Sequence, residues 1–292
     1  MSNIIIRNSN QKDIKELSQF AYRINSMVEH SSTFCSNKLE SIQKDFEDSI
    51  ASNTAIECRQ DDQLIGVLIC YVDQEKDNAD CSILLEPGFS YTDIAIKLFE
   101  FIRKQLSPSV KYTFFFPKAN VECSDFLNTV GAKPEVNEYS LLLKRGDEKL
   151  PTHSLTITNL TEENYTQFIE LHDYIFPDVY ISGKDIVNDI GNRHFAYTII
   201  DNEQIVAYSI LKLKGSKRAT AEVVAVKEGL RGKGYGRIIL SHLIKTAFET
   251  YDMDYVDLIV DCDNENALHL YLDLGFKIEN ENCCYIFHKN VG

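Results

Sequence analysis

Residues 221–236 read AEVVAVKEGLRGKGYG, a short apolar strand that runs through Arg231-Gly232-Lys233-Gly234-Tyr235-Gly236 into a long helix. Alternate glycines let peptide N–H groups approach a ligand closely, and the start of the helix adds the positive end of its dipole. Arg231, Lys233 and Arg237 bring fixed positive charge to the same place. Together they form an anion site, and the expected anion is a diphosphate. A Walker loop needs four residues between its glycines followed by Gly-Lys-Ser/Thr, and a dinucleotide fingerprint needs G-x-G-x-x-G. Neither pattern fits this stretch.

Working outward, the chain repeats one plan. In the first half, residues 4–7 read as a strand, 11–27 and 38–51 as helices, and 54–58 and 64–72 as a hairpin turned at Asp61-Asp62. A strand at 81–85 leads to an amphipathic helix marked by Ala95, Leu98, Phe99, Ile102 and Leu106. An aromatic strand follows at 112–116, and 141–143 is expected to close this half. The polar stretch RGDEKLP at 145–151 reads as a linker. The second half begins again with a strand at 155–158 and ends on a strand at 283–287. Displacing it by 141 lays Val226 on Leu85 and Gly229 on Gly88; displacing it by 144 lays Asn264 on Asn120, Gly275 on Gly131 and Lys277 on Lys133. A repeat this long implies duplicated domains, each with its own core, here expected at residues 1–145 and 151–292.

A second motif lies downstream, Val260-x-x-x-Asn264-x-x-Ala267-x-x-x-Tyr271-x-x-x-Gly275-Phe276. With V-x-x-x-x-R-G-x-G-x-G counted from Val226, it resembles the coenzyme A-binding signature of the GNAT superfamily of N-acetyltransferases at every position. The resemblance implies an α/β fold of two tandem GNAT-like domains, each a mixed, mostly antiparallel central sheet flanked by helices. It also implies acetyl-CoA as the bound group and a small-molecule or peptide amine as acceptor. On that resemblance the strand through Val224, Ala225 and Val226 parts from the strand ending at Val260, and the pantetheine arm lies between them. Arg231, Gly232, Lys233, Gly234, Tyr235 and Gly236 hold the pyrophosphate, with Arg237 flanking. Asn264 holds the end of the parted strand or the pantetheine, and Tyr271 stands by the sulfur as general acid.

The chemistry asks for such groups independently. An ammonium must lose a proton before its nitrogen can attack a thioester, and a thiolate must then leave. Tyrosine titrates near ~10 and a thiol near ~8.5, so complete proton transfer from Tyr271 is uphill by roughly 2 kcal/mol and hydrogen-bond donation carries part of its role. For the base, period-two alternation puts Glu222 on the face of Val224 and Val226. It is read either as a base acting through water or as an edge carboxylate in solvent; His194, His242 and His269 are weaker candidates. Tyr174, Phe176, Asp178 and Tyr180, within HDYIFPDVYISGKDI at 172–186, are read either as walls of an acceptor pocket or as packing of a helix end on the sheet.

The first half departs from this pattern. Where the second has RGKGYG it has Ser90-Tyr91-Thr92-Asp93-Ile94-Ala95, and Leu127 stands at the position of Tyr271. Ser90-x-x-Asp93 has the spacing of a capping box, which would satisfy the helix N–H groups internally. The first half is therefore expected to be silent, packing on the second as an intramolecular pseudo-dimer. Eight cysteines show no C-x-x-C or His/Cys metal spacing. No apolar run approaches the ~20 residues of a membrane span, the N-terminus does not read as a signal peptide, and the cytosol is the expected compartment. A net charge of −14 argues against nucleic acid or anionic membrane and suits a cationic acceptor. Two functions stay open: an N-acetyltransferase, or a non-catalytic coenzyme A binder that regulates a partner.

Overall fold

The computed structural model describes residues 4–177, 181–215 and 217–288. The chain forms two compact units, Met1–Glu138 with Asn280–Gly292, and Tyr139–Glu279. In order, the elements are β1 (Ile4–Asn8), α1 (Ile14–Asn25), α2 (Leu39–Ala51), β2 (Ala55–Gln60), β3 (Gln63–Asp73), β4 (Asn78–Leu85), α3 (Tyr91–Arg103), β5 (Lys111–Pro117), α4 (Val121–Thr129) and β6 (Lys133–Pro134). There follow β7 (Glu138–Lys144), β8 (Thr158–Asn159), α5 (Tyr165–Ile175), α6 (Gly183–Asp189), β9 (His194–Asp201), β10 (Gln204–Lys214), β11 (Arg218–Val226), α7 (Tyr235–Glu249), β12 (Tyr255–Asp261), α8 (Glu265–Asp273) and β13 (Lys277–Phe287).

Each unit holds a mixed, mostly antiparallel sheet with helices on both faces, as the fold class requires. In the first unit β1 to β4 pair antiparallel in sequence order, and β4 runs parallel to β5. In the second, β8 to β11 repeat that series and β11 runs parallel to β12. The duplication is visible in the backbone. Asp61 and Asp62 turn the β2–β3 hairpin with φ of 49° and 68°, and Asn202 and Glu203 turn β9–β10 with 48° and 62°. Two successive left-handed residues give the hairpin the twist its strands need, and acidic or amide side chains tolerate that conformation. The long helix α7 buries Ile239, Leu240, Leu243, Ile244, Ala247 and Phe248, the spacing of one helical face. They meet Ala219, Ala221, Leu258 and Val260 of the sheet. Phe168 and Ile186, from α5 and α6, cover the opposite face.

The division differs from the one expected at 145–151. The strand at 141–143 does not close the first half: Leu141 and Leu143 are fully buried in the core of the second unit, where β7 lies beside β12. The closing strand of the first unit is β13, whose Cys283 and Phe287 enter that unit's core and whose residues Asn282 to Phe287 pair antiparallel with β5. The two halves have exchanged their last strands. Nor is 145–151 a free linker. Arg145 donates from Nε to Met253 O at 2.8 Å and from Nη2 to Phe248 O at 2.8 Å, and Lys149 N donates to Leu274 O at 3.0 Å, all within the second unit.

Candidate active site

Strand β11 carries the site. Its register with β10 slips once, Ile210 facing Val223 while Leu211 faces Ala221, so Glu222 is an extra residue in a β-bulge. The bulge resets the alternation. Ala219 and Ala221 before it, and Val224 and Val226 after it, pack on the α7 side, whereas Val223 and Ala225 join the α5–α6 cluster. Glu222 lies with His194 and Lys212, away from Val224 and Val226. Unbroken alternation gives the opposite assignment, and the extra residue is the reason it fails. Nor is Glu222 an edge carboxylate in solvent: its side chain is only 4% exposed. Its Oε1 accepts from Lys212 Nζ at 2.6 Å, and its Oε2 lies 2.6 Å from His194 Nε2, a close contact off the axis of an ideal hydrogen bond.

Beside the bulge the sheet opens. β12 pairs with β11 only from Arg218 and Tyr255 to Thr220 and Asp257. Past that point the ladder between them ends, leaving the stretch from Glu222 to Val226 without β12 as a neighbour. Ile259, on the opened part of β12, is 55% exposed.

The glycine loop stands at the same end. Gly232 and Gly234 take φ of 78° and 88°, left-handed values that side chains disfavour, although an added Cβ would meet nothing within 4 Å. Conformation, and not crowding, demands glycine there. Gly234 begins α7 with no side-chain cap, and the first turn contains no acid. Its N–H groups therefore lack the acceptors that a cap supplies. Arg231 and Lys233 are exposed, and neither forms an ion pair among the described residues. Arg231 Nε reaches Val226 O at 3.4 Å, whereas Arg237 is already paired with Asp273 of α8 at 2.5 Å. A Cβ on Gly236 would lie 3.6 Å from both Val226 and Leu270, so the end of β11 and helix α8 converge on the start of α7.

On α8, Asn264 caps the helix, its Oδ1 accepting from Ala267 N at 3.2 Å. Tyr271 packs edge-on to Phe276 with ring centroids 6.0 Å apart. Burial pushes its hydroxyl up to about 12, which keeps the proton on the oxygen. Gly275, with φ 105°, closes the motif: an added Cβ would stand 2.3 Å from Asp147 O.

The first unit shows the same framework filled in. β4 and β5 also part, after Cys81 and Phe114. Here residues 31–33 occupy the opening: Thr33 N donates to Phe115 O at 2.8 Å, and Ser32 Oγ lies 2.9 Å from Ser82 Oγ. Asn120, the counterpart of Asn264, caps α4 through Oδ1 and donates from Nδ2 to Ser31 O at 3.0 Å. Phe115, the counterpart of Ile259, is only 8% exposed and meets Phe34 at a tilt, with ring centroids 5.9 Å apart. The β3–β4 register runs without a bulge, so no residue corresponds to Glu222. The expected capping box is absent: Ser90 Oγ donates to the Asp93 carboxylate at 2.7 Å and caps no backbone N–H, because the two side chains bond each other first. What opposes an anion there is the carboxylate of Asp93 in the first turn of α3.

Of the expected acceptor wall, Asp178 and Tyr180 lie outside the described residues. Tyr174 is 72% exposed, and Phe176 stacks near His172 with centroids 5.5 Å apart. His172 itself is buried, with Nδ1 2.9 Å from the Tyr208 hydroxyl and Nε2 3.1 Å from Ile181 O. His242 packs edge-on to Tyr197 and is lowered by burial, while His269 is exposed. His194 alone of the three reaches Glu222. Its Nδ1 lies 2.6 Å from Asp189 Oδ2, a partner no sequence pattern points to. Among the described residues no helix is long and apolar enough to cross a membrane, and no group of His, Cys, Asp and Glu could hold a metal ion.

Comparison with known proteins agrees with this architecture. Residues 157–276 match the sequence model of the acetyltransferase (GNAT) family. The spermidine N(1)-acetyltransferase of Escherichia coli K12 is 28% identical over 120 residues, 41% of this chain; the match spans 60% of the relative's own length. A GCN5-related N-acetyltransferase from Sphaerobacter thermophilus aligns over 97% of this chain and 95% of its own, at TM-score 0.74 and 13% identity. A tandem GNAT protein from the clavulanic acid biosynthesis pathway covers 99% of this chain and 100% of its own, at TM-score 0.63 and 12% identity. At those identities the two structures speak for the fold.

Proposed function

We propose, for a chain that carries a GNAT-family acetyltransferase domain over residues 157–276 within a tandem GNAT fold, that its second unit transfers acetyl from acetyl-CoA to a primary amine of a small molecule or peptide by direct attack in a ternary complex. The observation that carries this reading is the parting of β11 from β12 beside the uncapped start of α7. Bound there, acetyl-CoA supplies an activated thioester. The N–H groups of residues 231–236, with Arg231 and Lys233, hold its pyrophosphate. Backbone groups of Val224, Ala225 and Val226 line the arm. Asn264 donates its free amide to it, as Asn120 donates to Ser31 O in the first unit. Tyr271, protonated at any physiological pH, donates toward the leaving sulfur.

The bulge places Glu222 on the sheet face away from α7. As the base of this reading, the buried carboxylate takes the ammonium proton of the amine through water and not by direct contact. The net charge of −14 suits a cationic acceptor, and the relative from E. coli is named for acetylating spermidine. Calorimetric titration with acetyl-CoA tests the reading. One site per chain is expected; two would overturn the silence of the first unit, and none would overturn the proposal. Amine-dependent release of coenzyme A then separates an enzyme from a protein that only binds the thioester.

A further inference from the structure

Resting on that reading, and concerning what stands behind Glu222, we infer that Asp189 and His194 are positioning residues: with Lys212 they form a charge clamp that keeps Glu222 ionised and fixed on the sheet face away from α7. Glu222 needs such a clamp, because a carboxylate whose side chain is 4% exposed has lost most of its hydration. Two nitrogens approach it. Lys212 Nζ stands 2.6 Å from Oε1, and His194 Nε2 stands 2.6 Å from Oε2. An ionised carboxylate only accepts, so the clamp as inferred has a proton on Nε2 facing Oε2.

The far side of the ring explains how that proton is held. His194 Nδ1 lies 2.6 Å from Asp189 Oδ2. A carboxylate oxygen thus lies beside each ring nitrogen, and the clamp as inferred has a proton on both. Asp189 is fixed in turn by Asn192 Nδ2 at 2.8 Å, and Arg193 Nε lies 3.9 Å away. These bonds hold its carboxyl below the usual range, the Asn192 bond first and that of His194 second. The local fold makes the geometry. Gly191 takes φ 83° between α6 and β9, and its N–H donates to His194 O at 3.0 Å, which folds Asp189 back onto the ring. Among the described residues, the charged groups facing the cluster are Asp189 at the end of α6, Arg193 in the turn that follows, His194 from β9, Lys212 from β10 and Glu222 from β11.

The clamp makes a prediction with a sign. Removing a neighbouring cation makes a carboxylate harder to ionise. In His194→Gln and Asp189→Asn the acid limb of the pH–rate profile moves to higher pH. At neutral pH kcat falls about ten- to a hundredfold while KM for acetyl-CoA is unchanged, and Asp189→Glu restores part of the rate. Unmoved limbs, or a loss confined to KM, overturn the clamp. A second readout does not need turnover: nitrogen-15 resonances of the His194 ring in the full-length protein. The clamp requires both ring nitrogens to carry protons at neutral pH, and a titration midpoint that falls in Glu222→Gln and in Asp189→Asn. A ring singly protonated at neutral pH, or indifferent to both substitutions, overturns it. If the wild-type protein acetylates no amine, the acyltransfer reading fails, and the ring resonances still decide the clamp.

Discussion

Tyr271 sits where burial makes it a poor proton donor in the thermodynamic sense and a durable hydrogen-bond donor in every other. Raised to about 12, it holds its proton across the working range, so in the proposed reaction it would stabilise a departing thiolate mainly by directing an O–H toward it. In Tyr271→Phe, turnover should fall by about 10²-fold while calorimetric affinity for acetyl-CoA stays within about twofold. An unchanged rate would sink the role. Gly234 is governed by a different constraint. Its φ of 88° and its place at the head of α7 leave room for a side chain but none for a negative charge. Gly234→Asp should weaken acetyl-CoA binding at least about tenfold, by repulsion of the phosphates and by backbone strain, with the melting temperature moving far less. Undiminished affinity would dissociate the loop from the ligand.

Among the elements, the glycine loop at the head of α7 and the capped start of α8 were the most legible. Left-handed turns and helix caps need particular residue types at fixed separations, and the spacings from Val226 to Gly236 and from Val260 to Phe276 carried them directly. The hairpin turns at Asp61-Asp62 and Asn202-Glu203 were equally local. The bulge was not, because one extra residue changes neither composition nor apolar pattern; it shows only as a slip in pairing with β10. It is nonetheless the feature that carries Glu222 to His194 and Lys212. The capping spacing of Ser90 and Asp93 was legible and misled, since spacing does not say whether two side chains bond the backbone or each other. The filling of the first unit by residues 31–33 was invisible, as it depends on a contact with Phe115 across most of that half.

At the scale of the whole molecule, the exchange of β7 and β13 is what a local reading could least supply. Both are apolar strands of similar pattern, and nothing in either says which sheet it completes. The exchange predicts how the chain can be cut. A fragment of residues 151–292 lacks Leu141 and Leu143, each fully buried in the second unit, and deleting a buried leucine costs about 2–5 kcal/mol. That fragment should melt far below one of residues 139–279, which retains both; circular dichroism on the two would decide, and equal stability would refute the division into units. The exchange also sets a timetable. β5 leaves the ribosome before any element of the second unit, yet its antiparallel partner, in which Cys283 faces Phe116, is made after β7 to β12. The first unit therefore waits with an open sheet edge while the second is being synthesised, and its sheet is completed only once β13 has emerged.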